Sequence, residues 1–122
     1  MEKAIPHRKL SVIHSLVKQG KMEITRSARD GAEQLDLDFS QMIDVILNVT
    51  SAEFQKSMTT KTDHTVWQDV YKTRVNKIVV YLKFTIEDLH MPKQPKGNAD
   101  LKPAAKQMKD SVLIVSFKES TS

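Results

Sequence analysis

Gln68, Tyr81 and Lys118 are three side chains whose types, brought together, could act on a phosphodiester. An amide orients a phosphate by hydrogen bonding, a phenol donates a proton or holds an oxygen, and an ammonium stabilises developing negative charge. Lys72, Arg74 and Lys83 flank them in sequence, and Lys56 and Lys61 come shortly before. RNA carries its own nucleophile, the 2′-hydroxyl. Cleaving it needs only a group to take that proton, donors to stabilise the phosphorane and an acid for the leaving 5′-oxygen, with no metal. A lysine serves as the first group only if its pKa falls well below about 10.4, which crowding by other cations favours. The same residues also suit binding without cutting, because cations hold phosphates and a ring stacks on a splayed base. The plainer alternatives are a tyrosine that packs and lysines that form a solvated face.

Other constellations are weaker. His7 and His14 would lie on one helix face but about 10 Å apart along its axis, too far to share a metal. His64 beside Asp63 could be a general base, although such a pair is more often a loop hydrogen bond. Asp38 is explained more simply as a helix cap than as a metal ligand with Asp36. The absence of cysteine removes disulfides, thiolate zinc sites and a cysteine nucleophile. No P-loop, GxSxG or dinucleotide glycine pattern occurs. The expectation is no metal and no small-molecule cofactor.

Strands must position the first set. Val66–Val75, Ile78–Ile86 and Ser111–Phe117 are rich in Val, Ile, Tyr and Phe, and side chains alternate across a strand. Ile78, Val80, Leu82, Phe84 and Ile86 share one apolar face, so Tyr81 stands with Lys83 on the other. In the preceding strand Trp67, Tyr71 and Val75 point inward, with Asp69 out of pattern, and Gln68, Lys72 and Arg74 point outward with Val66 and Val70. In the last strand Leu113, Val115 and Phe117 are assigned inward, leaving Ser116 and Lys118 outward with Val112 and Ile114. Gln68, Tyr81 and Lys118 then project from one open face, with Lys72, Arg74 and Lys83 around them and Lys56 at its edge.

The first half of the chain reads as helices. Pro6, Leu10, Ile13, Val17 and Gly20 mark one. Met22–Thr25 is a short strand. Ser27 caps a second helix to about Leu35, weakened by Gly31. Asp38 and Gln41 form a capping box ahead of a stripe of Phe39, Met42, Ile43, Ile46 and Val49. Ser51 caps another turn or two, ending near Ser57. Residues 87–110 hold three of the four prolines and five lysines, which suits an inserted hairpin excursion with a short helix at Lys102–Lys109. One domain spans the 122 residues, an α+β fold with helices packed on one face of a mainly antiparallel sheet.

The net charge is +4, and between Lys56 and Lys83 six basic residues face only Asp63 and Asp69, so the excess is concentrated there. Such a patch suits a polyanion, nucleic acid first. No apolar run is long enough to cross a bilayer and no signal peptide is visible, so no membrane role and a cytoplasmic location are expected.

With these residues in view, the run Phe54-Gln55-Lys56-Ser57-Met58-Thr59-Thr60, then Asp63-His64-Thr65-Val66-Trp67-Gln68-Asp69-Val70-Tyr71, Val80-Tyr81-Leu82-Lys83 and Val112–Glu119, closely resembles the MqsR family of toxins. Met1-Glu2-Lys3, Pro6-His7, Thr25–Ala28 and Leu37-Asp38-Phe39 agree with it. The resemblance implies a RelE-like fold and a sequence-specific, metal-independent mRNA endoribonuclease that leaves a 2′,3′-cyclic phosphate and a 5′-hydroxyl. It also implies a zinc-containing, MqsA-like antitoxin partner and a type II toxin–antitoxin pair. The family's catalytic positions match Lys56, Gln68, Tyr81 and Lys118, while charge assigns RNA binding to Lys61, Lys72, Arg74 and Lys83. Two departures stand out: Gln55 replaces a tyrosine, and roughly residues 88–109 replace a short turn. The competing class is a regulatory module that binds nucleic acid on the same sheet face without cutting it.

Overall fold

The computed structural model describes residues 1–87 and 111–120. The chain runs β1 (Glu2–Lys3), α1 (Leu10–Lys18), β2 (Met22–Ile24), α2 (Arg26–Gln34), α3 (Phe39–Leu47), β3 (Phe54–Thr59), β4 (Trp67–Val75), β5 (Ile78–Glu87) and β6 (Ser111–Glu119). The strands form one six-stranded sheet in the order β1-β3-β4-β5-β6-β2. All neighbours are antiparallel except β2, which pairs parallel to β6. The α+β reading holds. Of the expected excursion at 87–110, Glu87 ends β5, and the rest, with the helix at Lys102–Lys109, lies outside the described residues.

The local signals explain most boundaries. Asp38 accepts from Gln41 N while the Gln41 side chain accepts from Asp38 N, so α3 begins with the expected box. The cap of α2 is Thr25 rather than Ser27: its hydroxyl accepts from Ala28 N and donates to Val115 O, tying the helix start to β6. Gly31 has a reason to be in this helix. A Cβ there would lie 1.9 Å from Phe117 O, so α2 can run this close along β6 only without a side chain at that point.

One expected helix is mostly a strand. The turn begun at Ser51 ends at Glu53, whose carboxylate accepts from Thr50 N, and Phe54 then opens β3. Neither β3 nor β1 shows an apolar alternation, because the residues β3 buries are the small polar Ser57 and Thr59.

The core joins Ile13 and Val17 of α1, Ala28 and Ala32 of α2 and Met42 and Ile46 of α3 to Tyr71, Val80, Leu82, Phe84, Val112, Ile114 and Phe117 of the sheet. Asp69 lies on this buried face because it holds the N-terminal segment: its carboxylate accepts from His7 N, Arg8 N and the Ser57 hydroxyl. That segment brings the His7 ring over Trp67, with centroids 5.5 Å apart, and Lys3 Nζ 4.2 Å from the Trp67 centroid. Trp67 is therefore only partly buried, covered by the chain's start rather than by helices.

The inward assignment in β6 needs correction. Lys83 faces Ser116 but Phe84 faces Ile114, so Val115 is an extra residue at a bulge. Side-chain parity reverses there. Val112 and Ile114 are fully buried while Leu113 turns to the open face opposite Thr85. Beyond the bulge Phe117 is inward and Ser116 and Lys118 are outward, as expected.

Candidate active site on the open sheet face

Strand register arranges the candidate residues in three rows across the open face. The first row runs Lys72 (β4), Tyr81 (β5), Lys118 (β6). The second runs Lys56 (β3), Val70 (β4), Lys83 (β5), Ser116 (β6). In the third, Met58 of β3 faces Gln68 of β4. Neighbouring strands lie about 4.8 Å apart, so members of one row touch readily, whereas rows are separated by two residues, about 6.8 Å along the strands.

The Tyr81 ring has cations from both of the first two rows beside it. Lys118 Nζ lies 5.4 Å and Lys83 Nζ 5.9 Å from the ring centroid. These are cation–π distances.

Lys83 is the centre of the second row and is half-buried. Burial, and then the positive charges of Lys118 and Lys56, push its pKa below that of an ordinary lysine. Val70 points to the same side yet is only 1% exposed, flanked by the aliphatic stems of Lys56 and Lys83.

Lys56 has a partner that the sequence reading missed. Its Nζ lies 3.0 Å from Glu2 Oε2, because β1 pairs with β3 and sets Glu2 opposite Met58. A two-residue edge strand carries no periodic signal, so nothing in the sequence pattern announced this pair. Gln55 falls where the β3–β4 register slips, between Phe54 and Lys56, and its amide donates to Glu53 O.

The expected set is thus brought to one face but not to one point. Lys72, Lys118 and Lys83 each neighbour Tyr81, the first two across the β4–β5 and β5–β6 ladders and the third along β5. Lys56 is two strands from Lys83 in the same row. Gln68 sits two rows, about 13 Å, along β4 from Lys72. Arg74, opposite Val79, extends the face one row beyond Lys72 and is exposed. Lys61 lies in the loop between β3 and β4, outside the rows.

The alternative clusters dissolve into structural contacts. His14 Nε2 lies 2.8 Å from Ile46 O, joining α1 to α3. Asp63 accepts from the backbone N–H and hydroxyl of Thr65, contacts that lower its pKa, and closes its own turn. Among the described residues no three His, Asp or Glu side chains gather as metal ligands, and no helix is long and apolar enough to cross a membrane.

Two comparisons bear on this face. The family model described as "Motility quorum-sensing regulator, toxin of MqsA" matches residues 5–91, a span that contains every candidate residue but Lys118. The chain is also similar to the mRNA interferase toxin MqsR of Escherichia coli (strain K12), 43% identical over 119 residues that cover 98% of this chain and 99% of that protein. A match of this length brings the rows of cations and the Tyr81 ring under one family description, and the chain belongs to the MqsR toxin family.

Proposed function

We propose that this chain is an mRNA interferase, the toxin of a type II toxin–antitoxin pair, acting on mRNA in the cytoplasm and restrained by an MqsA-like antitoxin. The family membership and the relative's activity support the reaction class. The observation that carries the site is the Lys72–Tyr81–Lys118 row with Lys83 beside it: a phenol among ammonium groups on an open, strand-built surface.

In this reading the single domain cuts RNA by metal-independent transesterification. Lys118 and Lys72 hold the scissile phosphate and stabilise the phosphorane, which carries more negative charge than the diester. The Tyr81 hydroxyl protonates the departing 5′-oxygen. Lys56 and Gln68 engage neighbouring nucleotides farther along the strand, and Arg74 and Lys61 add attraction for the backbone. The products are a 2′,3′-cyclic phosphate and a 5′-hydroxyl.

End analysis of an RNA incubated with the purified protein in EDTA tests this. Cyclic-phosphate and 5′-hydroxyl ends are expected. RNA left intact at stoichiometric protein would favour the non-cutting regulatory module, and 5′-phosphate ends would contradict the chemistry.

A further inference from the structure

We propose that Lys83 is a further catalytic residue of this face, the group that removes the proton from the 2′-hydroxyl; the inference rests on the ribonuclease reading above. Three observations point to it. First, register puts Lys83 in the row between the Tyr81–Lys118 pair and the row of Gln68. A nucleotide whose scissile phosphate meets Lys118 and Tyr81 has its ribose within reach of Lys83, one row or about 6.8 Å along β5 from Tyr81.

Second, the lysine is half-buried on a central strand, beside the β6 bulge and opposite the sealed Val70, with its Nζ 5.9 Å from the Tyr81 ring centroid. Third, the charged groups nearest it are mostly of its own sign: Lys56 from β3 in the same row, and Lys72 from β4 and Lys118 from β6 in the next, with the Tyr81 phenol from its own strand. The Glu2 carboxylate of β1 is engaged by Lys56 instead. An amine so placed gives up its proton more readily than a solvated lysine, in agreement with its lowered pKa.

The step balances without a co-reactant. Neutral Lys83 Nζ accepts the 2′-hydroxyl proton as the 2′-oxygen bonds to the adjacent phosphorus. The P–O5′ bond breaks, and the departing oxygen takes the phenol proton of Tyr81. Exchange with water then returns a proton to Tyr81 and removes one from Lys83. Nothing is oxidised or reduced.

The test separates a base from a simple cation. Lys83→Arg keeps the charge but stays protonated at all working pH. Single-turnover cleavage of an oligoribonucleotide should fall by about 100-fold or more in Lys83→Arg. Affinity for the same oligonucleotide carrying a 2′-deoxy sugar at the cut site should change by less than about threefold, as expected for a retained phosphate contact. The acidic limb of the wild-type pH–rate profile should disappear in Lys83→Arg, and added ethylamine should partly restore Lys83→Ala. Cleavage by Lys83→Arg within about threefold of wild type, or a Lys83→Ala enzyme deaf to added amine, would overturn the assignment of Lys83 alone. A wild-type protein that leaves RNA intact would overturn the ribonuclease reading and this inference with it.

Discussion

Lys118 stands directly opposite Tyr81 across the β5–β6 ladder, its ammonium 5.4 Å from the ring centroid. That pairing depends on a bulge. Val115 is the extra residue between the Phe84–Ile114 and Lys83–Ser116 partners, and it reverses parity so that one strand buries Val112 and Ile114 yet presents Lys118 outward five residues after Leu113. The site therefore depends on how β6 is held, and β6 is held by α2.

Gly31 should be the sensitive point of that contact. A methyl group in Gly31→Ala would meet Phe117 O at 1.9 Å, a backbone atom that cannot rotate away. The variant should lose about 1–3 kcal/mol of unfolding free energy, measurable by urea titration. Cleavage by the remaining folded fraction should fall as well, since Lys118 follows Phe117 directly.

Tyr71 offers a test in the opposite direction. Its ring is fully buried between Phe54 and Phe84, and its hydroxyl has no hydrogen-bond partner among the described residues. Tyr71→Phe removes a desolvated polar group and should leave stability unchanged or raise it by up to about 1 kcal/mol. Burial, aided by the Asp69 charge, pushes the phenol up to about 12. The folded pKa is above the unfolded one, so this stabilising difference is complete below the ordinary tyrosine pKa of about 10 and is lost as pH rises toward 12. Tyr71→Phe should accordingly flatten the alkaline decline in thermal stability.

His7 sets an acid-side dependence. Burial, then Lys3 and Arg8, lower its pKa against the opposing pull of Asp69. The folded pKa is below the unfolded one, so stability from this group is present above about 6.5 and is lost as pH falls through the folded value. His7→Asn should reduce the loss of thermal stability between pH 7 and 5, read from melting curves at fixed ionic strength.

Much of this was legible in the chain because two periods were strong. The Phe39–Val49 stripe behind its Asp38 box and the even-numbered apolar positions of β5 left little freedom, and the second of these placed Tyr81 outward. What escaped had physical causes. Strand β3 buries Ser57 and Thr59, whose hydroxyls lie beside Asp69 and the chain terminus, so hydrophobicity did not mark it. The β6 bulge broke a strict alternation, and Thr25 rather than Ser27 capped α2 because its hydroxyl serves β6 as well. The Glu2–Lys56 pair joins residues 54 positions apart through a two-residue strand.

Salt should weaken RNA binding more steeply than it slows the bound complex. The rows gather Lys56, Lys72, Lys83 and Lys118, with Arg74 one row beyond, on the face proposed to bind RNA. For single strands log K falls with log salt at a slope of about −0.7 per phosphate contact. Lys72→Ala should lower that slope by about one contact when affinity for a non-cleavable oligonucleotide is measured across a salt series.

Single-turnover cleavage by Lys118→Ala, with folding verified by its melting curve, tests the open-face account most directly. The account predicts a rate constant lower by about 10²–10³ than wild type with the fold retained. A Lys118→Ala protein that is folded and cuts RNA at the wild-type rate would contradict it.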